Sequence, residues 1–402
     1  MKVCLVVNEM NIRGGTHKQI LRLAQYLERK RISFQWLTRE FDINKTYPEC
    51  RDFSIIQLTG GVRKKKKSDT LIGCVLFKFY NLFYDLWDQY ALFKKMEKDV
   101  DLVNVHDNGL SFFMILVLLH NKKLIWQIND MPGCFCVGAH QGSNVGRIHR
   151  IINVIKKKIY SEIAKHTDLI TVNVTKNKKL VEEHLNKDAV VLYCGTDADE
   201  SRDIHECIKN KKCVHLISTG VFFRYRNYET QVRVVEKMCN DGYNCHLDIV
   251  GSTELDPQYA DDIQKLIQEC NLCDNISIHG QVDEEKFNSL YDNADIFLFI
   301  NINQSWGLAV FEAMARGLPV IVSNSVGAVE LLHDREDSII VDPLDFVAIT
   351  QKITDLYDDT VYKRISKTAH FNASQYTWDK LYSSKMVEAF YQVGQSPQIQ
   401  NG

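Results

Sequence analysis

The chain has 402 residues, of which 45% are apolar, 25% are charged and only 6 are proline. That length fits two domains and that balance fits a globular protein, which excludes low-complexity disorder, a collagen and a coiled-coil rod. The net charge of −2 conceals an asymmetry: residues 1–200 carry 31 Lys and Arg against 22 Asp and Glu, whereas residues 201–402 carry 18 against 29. A basic first half points to an anionic partner there, such as lipid phosphate or a membrane surface. No nucleic-acid motif accompanies it.

Short apolar runs alternate with amphipathic stretches, the pattern of parallel strands joined by crossover helices. Residues 3–7 read as a buried strand, without the long apolar run and small-residue cleavage site of a signal peptide. Residues 16–30 read as a helix with Ile20, Leu21, Leu23, Ala24 and Leu27 on one face. Further strands are expected at 33–37, 54–58, 102–105, 124–127, 169–172 and 190–192. The theme restarts at 214–218 and continues at 247–250, 276–278, 296–300 and 320–322. The polar stretch 198–212 reads as a linker, and 378–391 as an amphipathic helix that caps the second domain or crosses back to the first. The expected architecture is α/β: two Rossmann-like domains, 1–197 and 213–375, followed by a crossover helix and tail, 376–402. No segment reaches 18 uninterrupted apolar residues, so no membrane-spanning helix is expected.

The twelve cysteines follow no disulfide framework, which suits a cytoplasmic protein with reduced thiols. Cys270 and Cys273 form one C-x-x-C pair, but Cys134 and Cys136 are a poor match for a second. Both pairs read as structural, and no metal is expected. Asp197 and Asp199 spell D-x-D beside the linker and read as chance.

Gly14 and Gly15 lie between the first strand and its helix, where glycines allow a tight turn and close approach of an anion to helix amides. A plain strand-to-helix turn accounts for the pair equally well. In NINQSWGLAVFEAMARGLPVIVS (301–323), Gly307 opens a helix, Gly317 ends it and Pro319 follows. Amides at Gly307 and Leu308 suit a phosphate. Glu312 is a lone carboxylate among Val310, Phe311, Ala313 and Met314; ribose hydroxyls or backbone amides would satisfy it.

Here the sequence resembles the E-x7-E region of GT-B glycosyltransferases of the retaining family 4. The likeness runs along nearly the whole chain: Gly14 and Gly15, the run from Tyr193 to Asp197, Gly220 with Arg224 and Arg226, Gly280 with Val282, the Glu312 region, Gly327 with Glu330, and Val341 to Pro343. The order and spacing are specific together. The resemblance implies two Rossmann-like domains facing a cleft, with a nucleotide-sugar on the second and the acceptor on the first. It implies that Glu312 binds ribose, that Arg226 and, more loosely, Arg224 meet the diphosphate, and that Gly14, Gly15, Gly220, Val282, Ser305, Trp306, Gly307 and Leu308 line the donor site. Guanidinium groups suit phosphate because they fork onto its oxygens.

Three positions depart from the family pattern. Gln304 replaces the first glutamate of E-x7-E, which meets donor-sugar hydroxyls; glutamine hydrogen-bonds but carries no charge. Asn129, beside Asp130, stands where many relatives have a histidine near the reacting sugar. A third position, Val326, takes the place of one glycine before Glu330. His106, after the run 101–105, is read as opening a loop at a strand's carboxyl end, either against substrate or in a structural role. Asn129, Asp130, Gln304 and His106 are the candidate catalytic residues. The implied chemistry stabilises a departing diphosphate and positions an acceptor hydroxyl, with no metal or other cofactor.

Five consecutive cations, Arg63, Lys64, Lys65, Lys66 and Lys67, precede an aromatic-rich stretch that includes Phe83, Trp87 and Tyr90. Such a pairing suits an anionic bilayer, although a core helix beside a solvated loop would look similar. The combined expectation is a retaining transfer from a nucleoside-diphosphate sugar, with UDP favoured. The acceptor expected is a lipid-linked glycan of surface polysaccharide or glycoprotein assembly, met in the cytoplasm at the inner face of a membrane. Rival readings are transfer to a small soluble acceptor, a catalytically silent nucleotide-sugar binder, and a nucleotide-sugar epimerase of similar fold.

Overall fold

The computed structural model describes residues 1–58, 71–106, 108–135, 147–197, 208–209 and 211–396; of 71–79 and 147–149 it describes the backbone alone. The basic run 63–67 and most of the expected linker 198–212 lie outside these residues. The chain divides into two compact units, one of Met1–Cys194 with Leu381–Gly402 and the other Gly195–Lys380.

The first unit is a parallel sheet wound with helices. Its elements are β1 (Val3–Met10), α1 (Gly15–Arg29), β2 (Phe34–Phe41), β3 (Ile55–Gln57), α2 (Leu71–Lys94), β4 (Leu102–His106), α3 (Ser111–Leu119), β5 (Lys123–Ile128), α4 (Arg147–His166), β6 (Leu169–Val172), α5 (Thr175–Leu185) and β7 (Ala189–Val191). The strand order is β3-β2-β1-β4-β5-β6-β7, all parallel. The order reverses direction at β1 and β4, the position where such sheets gather ligands. In α1 the anticipated face, Ile20, Leu21, Leu23, Ala24 and Leu27, is fully buried. Right-handed crossovers put α2, α3, α4 and α5 on one face of the sheet and α1 on the other. Trp126, Phe113, Val103 and Ile170 build the core under the first group.

The second unit runs β8 (Val214–Thr219), α6 (Tyr228–Asn240), β9 (Cys245–Val250), α7 (Pro257–Glu269), β10 (Ile276–Gly280), α8 (Glu284–Asn293), β11 (Ile296–Phe299), α9 (Leu308–Ala315), β12 (Val320–Ser323), β13 (Ile339–Val341), α10 (Phe346–Asp355) and α11 (Asp359–Gln375). Its strand order is β10-β9-β8-β11-β12-β13, again parallel. Aspartates cap α7, α8, α10 and α11: Asp256, Asp283, Asp345 and Asp358 each accept from amides of their own first turn. Gly317, with φ of +74°, ends the segment after α9 as its sequence foretold.

Several boundaries differ from the sequence reading. The second strand extends to Phe41, and β13 is not among the expected strands. The expected helix at 378–391 is a π-turn, Asp379–Ser383, leading into α12 (Ser384–Gln395). That helix belongs to the first unit, where Gly394 packs on Met1. Among the described residues no helix is long and apolar enough to cross a membrane.

Candidate functional site

In the second unit, three adjacent strands end in glycine: Gly220 after β8, Gly251 after β9 and Gly280 at the end of β10. Their backbones are linked, the Gly220 amide donating to the Val250 carbonyl and the Gly251 amide to the Gly280 carbonyl, both at 2.9 Å. At Gly251 a Cβ would sit 2.0 Å from the Gly220 oxygen, and at Gly220 it would sit 2.3 Å from Cζ of Arg226. With φ of +157° and +152°, neither position suits another residue. The missing side chains leave bare backbone along the carboxyl edge of the sheet.

Arg226 lies over that edge. Its guanidinium stacks against Tyr225 and Phe299, with Cζ 5.2 and 5.9 Å from the ring centroids, and Nη1 donates to Gln304 Oε1 at 3.3 Å. The Asn301 side-chain amide, oriented so that its neighbours are satisfied, accepts from Arg226 Nη1 at 2.9 Å and donates to the Arg226 carbonyl at 3.3 Å. Backbone ties hold the two loops in register: the Ile302 amide donates to the Tyr225 carbonyl and the Gly327 amide to that of Gln304. Arg226 Nε is buried with no hydrogen-bond acceptor among the described residues. A guanidinium held by ring faces and two amide side chains keeps donors for a further anionic partner.

Arg224 is not brought to this place. It is well exposed, pairs with Asp262 Oδ2 on α7 at 2.9 Å and lies over the Tyr259 ring. A turn of only three residues separates the two arginines, yet it sends them in different directions. Trp306 also departs from the expected lining role: it is buried and stacks on Phe311 at 5.3 Å, as part of the packing beneath α9. Gly307 precedes α9 and packs on the Phe299 ring and Ala328, while Ser305 and Leu308 are half-buried beside it. Val282 is half-buried just before the cap of α8.

Glu312 is half-buried on α9. Its charge helps to raise the hydroxyl pKa of Tyr291, whose main cause is burial. Tyr291 in turn meets Thr219 at 3.2 Å, immediately before Gly220. Arg316 donates to the Glu312 carbonyl at 3.2 Å and to Asn288 at 3.0 Å, and covers the Tyr291 ring. Glu312 therefore flanks the same glycine edge that Arg226 covers. Gly251, Tyr291, Asn301 and Arg316 were missed in the sequence. Gly251 carried a usable signal, since it ends its strand as Gly220 does.

The first unit holds a different arrangement. Asn129, at the end of β5, is only 6% exposed. Its nitrogen donates to Thr16 Oγ1 at 3.0 Å and to Gln19 Oε1 at 2.8 Å. Its side-chain oxygen accepts from Gln127, and its carbonyl accepts from Asn177. Gln127 also accepts from Thr171. Asn129 thus sits within a buried polar chain of the first unit. Asp130 is exposed, and its carbonyl accepts from Asn108.

His106 is enclosed as well. It is the last residue of β4, fully buried, with Nε2 2.8 Å from Asn104 Oδ1. Burial, helped by nearby His17, pushes its pKa down to about 3, so it is neutral at ordinary pH. An enclosed neutral imidazole fits the structural one of the two roles its sequence position allowed. Gly14 caps α1 and abuts the His17 ring, while Gly15 is exposed in its first turn. No cluster of three or more His, Cys, Asp or Glu side chains suited to a metal occurs among the described residues.

Two doubly wound domains in one chain are the architecture of GT-B proteins. The model of the family described as Glycosyltransferase Family 4 matches residues 13–200, and that described as Glycosyl transferases group 1 matches residues 197–371. The chain belongs to the family 4 glycosyltransferases of GT-B fold. Among curated proteins it is 27% identical over 217 residues to the capsular polysaccharide biosynthesis glycosyltransferase CapM of Staphylococcus aureus, covering 52% of this chain and 49% of CapM. It is 24% identical over 259 residues to an uncharacterized 41.2 kDa protein in the cps region of Klebsiella pneumoniae, covering 60% of this chain and 66% of that protein. The chain thus matches about half to two thirds of the length of these two relatives. Solved structures with the same fold include a glycosyltransferase from Rickettsia africae ESF-5 (TM-score 0.74, 16% identity, 98% and 99% of the two chains). Another is Anabaena HepE in complex with UDP (TM-score 0.71, 13% identity, 98% and 100% of the chains).

Proposed function

We propose that this protein transfers a sugar from a nucleoside diphosphate, UDP by preference, with retention at the anomeric carbon. The observation that carries this reading is Arg226 laid across the Gly220–Gly251 edge beside Gln304, with Glu312 on the flank. In this reading the diphosphate lies on the bare backbone, Arg226 takes up its developing charge, and Glu312 binds the ribose hydroxyls. Gln304 meets the donor sugar through neutral hydrogen bonds. The departing phosphate takes the proton of the acceptor hydroxyl, so no separate base is needed, in keeping with the enclosed His106 and Asn129.

The acceptor we propose is a lipid-linked glycan of surface polysaccharide assembly, met at the cytoplasmic face of a membrane. The kinship to CapM supports the substrate class. Membrane association is supported by the cations at 63–67 and by α2, which exposes Phe83, Trp87 and Tyr90. The uncharged Gln304 favours one other reading, a protein that binds a nucleotide-sugar without turning it over. Release of nucleoside diphosphate from a panel of UDP-, GDP-, ADP- and TDP-sugars, with and without bacterial lipid extract, separates them. Lipid-stimulated release from one donor is the expected result. Binding without release from any donor would transfer the weight to the silent binder.

A further inference from the structure

Glu312 stands on a short support. Its helix, α9, has only eight residues, so the Glu312 carbonyl falls in the last turn, where carbonyls lose their intrahelical donors. The backbone tightens there: the Arg316 amide donates to the Ala313 carbonyl at 3.0 Å, a span of three residues instead of four. The Glu312 carbonyl accepts instead from the Arg316 side chain, with Nη1 at 3.2 Å. The helix end that carries Glu312 is thus tied off by a guanidinium.

The same guanidinium reaches across to α8. Its Nη2 donates to Asn288 Oδ1 at 3.0 Å, and its Cζ lies 4.6 Å from the centroid of the Tyr291 ring, about one turn further along that helix. A planar fork holds a carbonyl, an amide oxygen and a ring face at once, which an ammonium does not. Tyr291 is itself firmly held: it is fully buried, stacked on Phe297 at 5.9 Å, with its hydroxyl 3.2 Å from Thr219 Oγ1. Both charges act on that hydroxyl, Glu312 raising its pKa and Arg316 opposing the rise. Thr219 immediately precedes Gly220. A chain of contacts therefore runs from the end of α9 through Arg316 and Tyr291 to the glycine edge.

A side chain that serves stability alone weakens every ligand alike when it is removed. One that sets the place of Glu312 affects only the part of the ligand that Glu312 meets. A carboxylate that accepts from two vicinal hydroxyls needs both within hydrogen-bond reach, so a small displacement costs one of the two bonds.

We propose that Arg316 is a positioning residue: through Asn288 and Tyr291 it fixes Glu312 against the Gly220 edge and makes the site selective for nucleotides with a ribose 2′-hydroxyl over their 2′-deoxy counterparts. The proposal rests on the reading of Glu312 as the ribose ligand.

Calorimetric titration of the full chain with a nucleoside diphosphate and its 2′-deoxy counterpart tests it, the base being whichever of uridine, guanosine and adenosine the wild type binds. The wild type should prefer the ribonucleotide by about tenfold or more, in line with a hydrogen bond to a charged group. Glu312→Ala should abolish that preference. Arg316→Ala should reduce it to about threefold or less, while affinity for the 2′-deoxynucleotide stays within about twofold of the wild type. Added to Glu312→Ala, it should change affinity for the ribonucleotide by less than about twofold, because it acts through Glu312. If Arg316→Ala does not fold, Arg316→Lys, which keeps the charge and loses the fork, should show the same narrowing of preference. An equal loss for both nucleotides, or an undiminished preference, in the folded Arg316 variant would overturn the inference and leave the ribose reading standing where Glu312→Ala has lost its preference. A preference retained in Glu312→Ala, a wild type with no preference, or one that binds none of the three nucleotides would overturn that reading and the inference with it.

Discussion

The guanidinium of Arg226 occupies the space that a side chain on Gly220 would need, its Cζ 2.3 Å from the missing Cβ. Sequence neighbours within one loop thus form a unit in which the glycine exists for the arginine. Gly220→Ala should displace Arg226 and weaken binding of nucleoside diphosphate about tenfold, roughly 1.4 kcal/mol. The strained φ should add a destabilisation of about 1–3 kcal/mol, visible as a lowered urea midpoint. Calorimetric titration of UDP into the folded variant checks the first effect.

The two arginines should behave unequally. Arg226→Lys removes the planar fork and its stacking on Tyr225 and Phe299, so UDP affinity should fall by about tenfold or more. Arg224→Ala removes an exposed pair with Asp262, an interaction of the kind worth about 0–1 kcal/mol to stability, and should leave UDP affinity within about twofold. Equal losses would show that Arg224 turns toward the diphosphate.

Asn129→Ala should act on stability. It strands Gln19, Thr16 and Gln127 without a shared partner in a buried site, at a cost of about 1–3 kcal/mol. Urea unfolding should show the loss, and UDP affinity in the folded protein should be unchanged. A large fall in transfer rate with unaltered stability would instead restore Asn129 to the chemistry.

The buried His106 makes a signed prediction for pH. Its folded pKa of about 3 lies below the ordinary histidine value of 6.5. Between those values the unfolded chain binds a proton that the folded chain refuses, so stability is fully present above about pH 6.5 and declines as pH falls. The slope from this one group approaches ~1.4 kcal/mol per pH unit. His246 acts in the opposite sense: its bond to Asp248 raises its pKa, so its contribution is present at low pH and lost as pH rises through the raised value. Urea midpoints from pH 5 to 8 should therefore flatten on the acid side in His106→Gln and on the alkaline side in His246→Gln.

Local patterning made much of the fold legible. The face of α1 followed from the spacing of five apolar residues, and the end of α9 followed from Gly317 and Pro319. In the candidate site, Gly220, Arg226 and Glu312 were singled out through the family resemblance, and the folded chain sets Arg226 against Gly220. What local patterning did not show has another cause. Asn129 is enclosed by Thr16 and Gln19, more than a hundred residues away, and no local pattern announces such partners. His106 looked like a loop residue because it ends an apolar run, yet the strand continues through it. Arg224 is drawn away from Arg226 by Asp262 on α7, which only the folded chain brings near.

The most direct test of the account is titration of UDP into the wild-type protein, Glu312→Ala and the double variant Glu312→Ala with Arg226→Ala. Saturable binding by the wild type, at least tenfold weaker binding by Glu312→Ala and none detectable in the double variant are the predicted results. Equal affinity in all three, or no saturable binding of any nucleoside diphosphate to the wild type, would contradict the assignment of the Gly220–Gly251 edge as the donor site.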